Sequence, residues 1–486
     1  MSVASPTRVE LNYGLEDVPK PFPRALGLGL QHVLTMFGAT ILVPLILGPA
    51  MGMDRVQIAI LISSVFICSG IATWLQLTVG SRLPIIQGVS FAFLVPFFAI
   101  IAAHPGAEAM QYIAGLILVG ALVEVTIGFG GLFGILRRFV SPITIAPVIA
   151  LIGLSLFGPA ADTSALHWPL ALLMLALVFV YSLIMAPKYR FFSLFPVLLA
   201  IITSYAVALI LTWTGVFEQG TPAAVSFAGV GDADWIRGVV VGEGGILFPW
   251  GLPLFDWTLL IGILAAYLAS MIESFGDYHA ISRIATGRDP DAQTINRGIG
   301  SEGLGCFATG LFGGFASTSY SENIGLVGLT RVASRYVVVL GAGALVVLGL
   351  IAKFGAVVAT IPLPIVGGAY LALFGLIAAI GLSLMRRADM DSQRNLLILG
   401  FVLFAGFVFP HYFGSEAAAD FSLGVGWLTD IVRSIGSSGI ATAAVLGLLL
   451  DNIIPGTPEE RGLVAQYEEV TTTGDVEAPT MGDERP

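Results

Sequence analysis

The run Phe315-Ala-Ser-Thr-Ser-Tyr-Ser-Glu-Asn-Ile-Gly325 opens as a polar, Ser-rich, extended stretch and turns apolar only after Glu322, continuing to Thr330. It lies in a chain of 486 residues that is 56% hydrophobic and 11% charged, with a mean hydropathy of +0.91. Ordinary soluble proteins hold about 45–50% apolar and about 25% charged residues. This chain therefore lacks the polar side chains needed to cover a water-exposed surface of its length, and its solvent is lipid. In lipid, non-helical backbone survives only where it is buried in protein or lines a cavity. The run from Phe315 should thus face an internal site. A second stretch, Pro84-Ile-Ile-Gln-Gly-Val-Ser-Phe-Ala-Phe-Leu-Val-Pro96, is of the same kind, broken by Gly88 and bounded by prolines.

Outward from these two, apolar stretches begin near Ala25, Val56, Leu83, Gln111, Pro142, Pro169, Phe191, Phe255, Gly298, Ser317, Tyr336, Pro364, Asn395 and Ser437. They predict an all-α polytopic membrane protein with about 14 transmembrane segments. The two interrupted stretches are the third of the first seven and the third of the second seven. Seven is odd, so the second half sits inverted on the first, a 7+7 inverted repeat with short extended strands in segments 3 and 10. Paired interrupted segments at matching positions of inverted halves point to the midplane site of a transporter.

An even span count puts both termini on one side, and Lys and Arg choose that side. With the termini cytoplasmic, only Arg55, Arg237, Lys353 and Arg433 of the 22 Lys and Arg fall outside. The expected setting is a cell membrane. The long loop from about Thr214 to Leu254 is external and acidic, with Glu218, Asp232, Asp234 and Glu243 against one Arg. From about Pro455 the chain is rich in Glu, Thr, Gly and Pro and reads as a disordered cytoplasmic tail. The first 23 residues carry acids and prolines rather than a basic start and a short apolar core, so the first apolar stretch is expected to remain in the mature protein. Basic residues are scattered, which points away from nucleic acid. Cys68 and Cys306 lie in apolar stretches and read as small core side chains, not as a disulfide or a metal site.

Acids inside spans cost about 2.5–3.5 kcal/mol on insertion scales, so each is a functional candidate. Glu273 and Asp277, in Met271-Ile-Glu-Ser-Phe-Gly-Asp-Tyr-His279, are four apart and share one helix face. In a poorly hydrated site two carboxylates that close would not both stay ionised, so the pair is suited to taking up and releasing a proton. The structural alternative for Asp277 is a helix cap or a pairing with Arg283. Glu322 should sit where the extended run becomes a helix, within reach of the N-terminal dipole. There it can accept from N–H groups of a flat heterocycle, while Ser90, Phe91 and Ser321 offer backbone groups and Phe91 an aromatic face. His32, beside Gln31, reads equally as a buried hydrogen-bonding partner or as part of the proton path. Glu124 reads first as an interhelical hydrogen bond. No phosphate loop, nucleophile elbow or His/Cys metal spacing is present in the sequence, so neither an enzyme, a cofactor nor a metal is expected, and uphill transport would draw on an ion gradient.

These motifs carry a family resemblance. Glu322-Asn323-x-Gly325, followed by Thr330 and Arg331, resembles the signature of the nucleobase-ascorbate transporter family, which includes uracil and xanthine permeases. Gln31-His32, Gln87-Gly88-x-Ser90-Phe91 and Glu273-Ser-Phe-Gly-Asp277 resemble its motifs in segments 1, 3 and 8, and the likeness covers about Pro23 to Leu449. It implies a core domain of segments 1–4 and 8–11, residues 24–135 and 255–358. It also implies a gate domain of segments 5–7 and 12–14, residues 136–214 and 359–452, with tails at 1–23 and 453–486, an external loop at 215–254, and a homodimer. By the same resemblance Glu273, Glu322, Phe91, Ser90, Ser321 and Asn323 would contact a nucleobase, and Glu273, Asp277 and His32 would serve proton coupling. Glu at the first signature position argues against ascorbate. Asp277 looks like purine-type members, and Glu302 stands where purine carriers often have Asp. The expectation is a proton-coupled importer of uracil or a purine such as xanthine, with a sodium-coupled carrier, or an anion exchanger or channel of the same fold, as alternatives.

Overall fold

The computed structural model describes residues 10–463 apart from Val239, Glu243 and Ala419, with the side chains of 136–138, 427 and 430 left aside. Glu243 and the tail beyond Leu463 therefore lie outside the described residues. In the first half the principal elements are α1 (Phe22–Ala50), α2 (Arg55–Thr78), β1 (Gln87–Val89), α3 (Leu94–Ala103), α4 (Ala109–Phe129), α5 (Pro142–Ser155), α6 (Trp168–Phe179) and α7 (Pro196–Trp213). The second half holds α8 (Leu260–Thr286), α9 (Ala292–Phe312), β2 (Ser317–Ser319), α10 (Ser321–Thr330), α11 (Arg335–Leu350), α12 (Leu363–Leu384), α13 (Gln393–Phe413) and α14 (Gly439–Ile453).

Among the described residues nine helices are long and apolar enough to cross a membrane. Two pairs, Arg335–Leu350 with Ala352–Val358 and Ile431–Ser437 with Gly439–Ile453, are bent by 83° and 110° and bring the number to eleven. The three stretches of the expected fourteen that fall short are the third, ninth and tenth. α3 and α10 are ten residues each because the chain preceding them is drawn into β1 and β2. α9 is 21 residues long, but Gln293, Asn296, Arg297 and Glu302 make it too polar to be read as a span.

β1 and β2 pair antiparallel, Gln87 opposite Ser319 and Val89 opposite Ser317, and the pairing is extended by Ser90 N–H to Ala316 O and Tyr320 N–H to Ile86 O. Every backbone group needs a partner at this depth, and the two short strands satisfy each other. The helices that follow them leave from opposite ends of the pair. Gly88 is required here: an added Cβ would lie 2.4 Å from the Tyr320 ring, which covers the strand. α10 ends at Arg331 in a left-handed conformation, φ 59°. The segment Asn12–Asp17 holds that end, with Asn12 N–H to Arg331 O, Ala333 N–H to Tyr13 O and Arg335 N–H to Leu15 O.

Packing is densest within two sets of helices. α1, α2 and α11 lie together, as do α2, α4 and α9, with α8 against α4; separately, α12 packs on α5 and α6, and α13 and α14 on α5. Small residues let these backbones touch, the usual basis of helix association in lipid. At the α4–α9 crossing a Cβ on Gly303 would meet Val125 N at 2.7 Å and Ala121 O at 3.0 Å.

Outside the helices, the long loop before α8 is riveted by Arg237, which is 4% exposed. Its guanidinium donates to Ser64 Oγ (2.8 Å), Ile60 O (3.3 Å), Gly245 O (2.5 Å) and Gly244 O (3.4 Å). Burial lowers its pKa to about 10, which leaves it charged at neutral pH. The stretch expected to be disordered from 453 is ordered as far as Leu463. Arg461 and Arg394 both bind the fully buried Asp451, at 2.8 and 3.0 Å, and Ser141 Oγ donates to the same carboxylate at 2.7 Å.

Candidate functional site

The two helix sets enclose a cavity of about 480 Å³. One wall is polar: Glu273 and Asp277 from α8, Thr318 and Ser319 from β2, Ser321 and Glu322 from the start of α10, and Phe91 just after β1. The facing wall is apolar, with Ile145, Ile149 and Ile152 from α5 and Leu373, Ile377 and Ile380 from α12. The cavity runs along α8 from Glu273 to Arg283 and along α12 and just past its end to Arg387, so its far end is basic.

Each polar side chain is placed by a local rule. Glu273 and Asp277, one turn apart, point from the same face of α8. Glu273 is exposed to the cavity. Asp277 is buried, its Oδ2 accepting from Ser319 Oγ and its Oδ1 from Ser321 Oγ, both at 2.8 Å. These hydrogen bonds, rather than a helix cap, hold the carboxylate, and Arg283 binds Asp289. Glu322 lies in the first turn of α10, where the helix dipole favours a negative charge, and is also exposed. Asp277 and Glu322 are both electrostatic neighbours of Glu273. Phe91 stands edge-on to Phe374 of α12, ring centres 6.2 Å apart, so this aromatic touches both helix sets.

The structure thus gathers Glu273, Asp277, Ser321, Glu322 and Phe91 on the cavity, and sets three other expected residues behind its wall. Ser90 is buried and its hydroxyl accepts from Ala92 N–H. Asn323 and His32 are buried against each other, Asn323 Nδ2 donating to His32 O at 2.9 Å and lying 3.2 Å from His32 Nδ1, a link between α10 and α1. Glu124 is fully buried, and neither oxygen has a hydrogen-bond partner among the described residues, so the interhelical bond expected for it is not found.

Behind Asp277 stand Glu302, met in the sequence only through the family resemblance, and Ser270, Ser274 and Tyr278, which the sequence reading did not single out. Glu302 accepts from Ser270 Oγ (2.8 Å), Ser274 Oγ (2.5 Å) and the Tyr278 hydroxyl (3.0 Å). Ser274 Oγ lies 2.8 Å from Ser319 Oγ. Two periodicities carried this signal: Ser270, Ser274 and Tyr278 repeat at helical spacing, and Ser317, Ser319 and Ser321 at strand spacing. Outside the helices, His104 Nε2 meets Asp256 Oδ2 at 2.9 Å. Burial works against the Asp256 charge, but hydrogen bonds from Thr258 and His104 outweigh it and hold the pKa below its ordinary value.

Comparison with known proteins gives this geometry its context. The model of the Permease family matches residues 24–414. Solute carrier family 23 member 1 of Rattus norvegicus is 38% identical, over 94% of this chain and 82% of the relative. Nucleobase-ascorbate transporter 2 of Arabidopsis thaliana is 33% identical, over 93% and 90%. The solved structure of the murine Solute Carrier 26 family member A9 anion transporter, inward-facing, matches with a TM-score of 0.61 at 11% identity, covering 93% of this chain and 69% of that one. The transmembrane domain of the cyanobacterium bicarbonate transporter BicA matches at 0.53 and 16%, covering 88% and 100%. At such identities these two speak for the fold alone.

Proposed function

This chain belongs to the nucleobase-ascorbate transporter family and is a multi-pass membrane transporter rather than an enzyme, and on that premise we propose that it imports a nucleobase, uracil or a purine such as xanthine, together with a proton. The observation that carries the reading is that Glu273 and Glu322 are both exposed on the polar wall, beside Phe91. A planar heterocycle presents N–H donors at its edge and a π face. Two carboxylates and an aromatic ring complement both. An anion such as ascorbate or bicarbonate would meet two like charges. Three acids around one cavity also make the site receptive to a proton.

The reading extends to movement. The halves are taken as inverted repeats of seven segments, with residues 24–135 and 255–358 as core and 136–214 and 359–452 as gate. The two packed helix sets support this division, and the cavity between them supports alternating access, the polar wall carrying substrate past the apolar one. The test is uptake of radiolabelled bases into cells lacking their own permeases, with uracil, xanthine, urate, guanine, adenine and ascorbate in competition. Glu273→Gln and Glu322→Gln should each lower nucleobase uptake by about 10- to 150-fold, from about 1.5–3 kcal/mol per charge-assisted hydrogen bond. Parent-like uptake in both variants at equal expression rejects the site. Uptake that follows external sodium and ignores a protonophore rejects the proton, and flux of chloride or bicarbonate without nucleobase competition rejects the substrate class.

A further inference from the structure

Three oxygen–oxygen contacts run in series from the cavity into the helix pack: Asp277 Oδ2 to Ser319 Oγ at 2.8 Å, Ser319 Oγ to Ser274 Oγ at 2.8 Å, and Ser274 Oγ to Glu302 Oε2 at 2.5 Å. At these distances each contact needs a hydrogen between its two oxygens. Ser319 and Ser274 supply one hydroxyl hydrogen each, so the line holds three bonds and has two hydroxyl protons. The third proton must reside on a carboxyl group at one end.

We propose that Asp277, Ser319, Ser274 and Glu302 form an internal proton line that stores the coupling proton on the buried Glu302 and delivers it to the cavity at Asp277. The inference rests on the proton-symport reading and names the route for it. With the proton on Glu302, its O–H donates to Ser274, Ser274 to Ser319, and Ser319 to ionised Asp277. Passing one proton along each bond leaves Asp277 neutral and Glu302 ionised, with every bond reversed. Each hydroxyl gives one proton and takes one, so no water or further reactant is consumed.

The surroundings favour a stored proton over a fixed charge at the inner end. Glu302 is 1% exposed. It faces Ser270, Ser274 and Tyr278 on α8, and Glu124, its electrostatic neighbour from α4. Tyr278 is tied in turn to Gln76 of α2 at 2.9 Å. Tyr267 and Cys306 are also within electrostatic reach, and none of these groups is a cation. Glu124, buried with both oxygens unpartnered among the described residues, adds a second acid and no donor. At the outer end Asp277 faces Glu273 on its own helix, Ser319 of β2, and Ser321 and Glu322 of α10.

Cutting the line should separate binding from coupling. In proteoliposomes, Ser274→Ala should leave nucleobase counterflow, which needs no net proton movement, within about twofold of the parent. A one-unit pH gradient can sustain about a tenfold accumulation by one-for-one symport. In Ser274→Ala that ratio should fall to near one, with loss of the substrate-induced alkalinisation seen by an external pH dye. Ser274→Thr, which keeps a hydroxyl, should restore both. Ser319→Ala breaks the same line at its next link and should lower the ratio of accumulation to counterflow in the same way, so the idea remains testable if one variant does not assemble. A Ser274→Ala protein that accumulates base and moves protons as the parent does overturns the line while leaving symport intact. A parent that moves no protons with its base overturns the symport reading itself.

Discussion

Replacing Gly88 by Ala tests whether the strand pair sets the geometry of the site. The new Cβ would lie 2.4 Å from Cε2 and 2.9 Å from Cδ2 of the Tyr320 ring, and 2.8 Å from Cε of Met36. The Met36 methyl is the end of a flexible side chain and can give way. The ring cannot do so freely: Tyr320 is buried, and its hydroxyl donates to Val89 O at 3.1 Å and accepts from Thr40 Oγ1 at 3.4 Å. Restoring a 3.4 Å contact requires the ring to retreat by about 1 Å, which stretches the bond to Val89 past its limit. Overpacking costs about 1–3 kcal/mol and the lost hydrogen bond about 1 kcal/mol, together about 2–4 kcal/mol. The displacement falls on the residues flanking Phe91 on one strand and Glu322 on the other. A misplacement of about 1 Å can cost up to about 100-fold where geometry matters, so uptake should fall at least tenfold at equal expression. The assays are thermal melting of the detergent-purified protein and initial-rate uptake, both repeated in a Tyr320→Leu background. There the conflict with the ring is gone and only the pliable Met36 methyl remains close, so the melting cost of Gly88→Ala should shrink by more than 1 kcal/mol. Parent-like melting and uptake in Gly88→Ala, or an equal cost in both backgrounds, would refute the reasoning.

Two further predictions concern the ends of the molecule. Asp451→Ala leaves Arg394 and Arg461 facing each other without their buried carboxylate and should destabilise the purified protein by about 3–5 kcal/mol. Arg461→Ala, which keeps the Arg394 pair, should cost less, and equal melting of Asp451→Ala and the parent would deny the C-terminal segment a structural part. In the loop before α8 the depressed pKa of Asp256 gives a definite sign. Its contribution is present above the unfolded value of about 4 and is lost as pH falls through the lower folded value. The melting difference between the parent and Asp256→Asn should therefore be constant near neutrality and vanish in strong acid; a difference that grows on acidification contradicts the assignment.

The acids on the cavity were legible in the sequence because a charge in an apolar run has no inexpensive structural reason to be there. Glu273, Asp277 and Glu322 stand out against Ile, Ala and Leu. Glu302 does not, because α9 is polar along much of its length and one more acid changes little. Ser274 and Ser319 were hidden for another reason: serine costs little in a membrane helix, and its importance comes from a neighbour brought from another element. Asn323 and His32 could be picked out in the sequence as polar residues, but the bond that joins α10 to α1 through them depends on a partner that no local pattern names. Hydropathy located the long helices, since nearly every side of them is apolar. It could not show where a helix bends by 83° or 110°, or that ten-residue helices follow the strands, because those outcomes depend on backbone partners elsewhere in the chain.

The contrast between the two cavity walls has a thermodynamic consequence. If the walls approach when substrate is held, Ile145, Ile149, Leu373 and Ile377 lose water along with the face of the base they cover. Burial of that kind carries a negative heat-capacity change, whereas the hydrogen bonds to Glu273 and Glu322 that the proposed reading calls for would register mainly as enthalpy. Calorimetric titrations at several temperatures would then divide one binding event into its two halves. The temperature slope would report how far the apolar wall travels, and variants of that wall should alter the slope while leaving recognition at the polar wall in place.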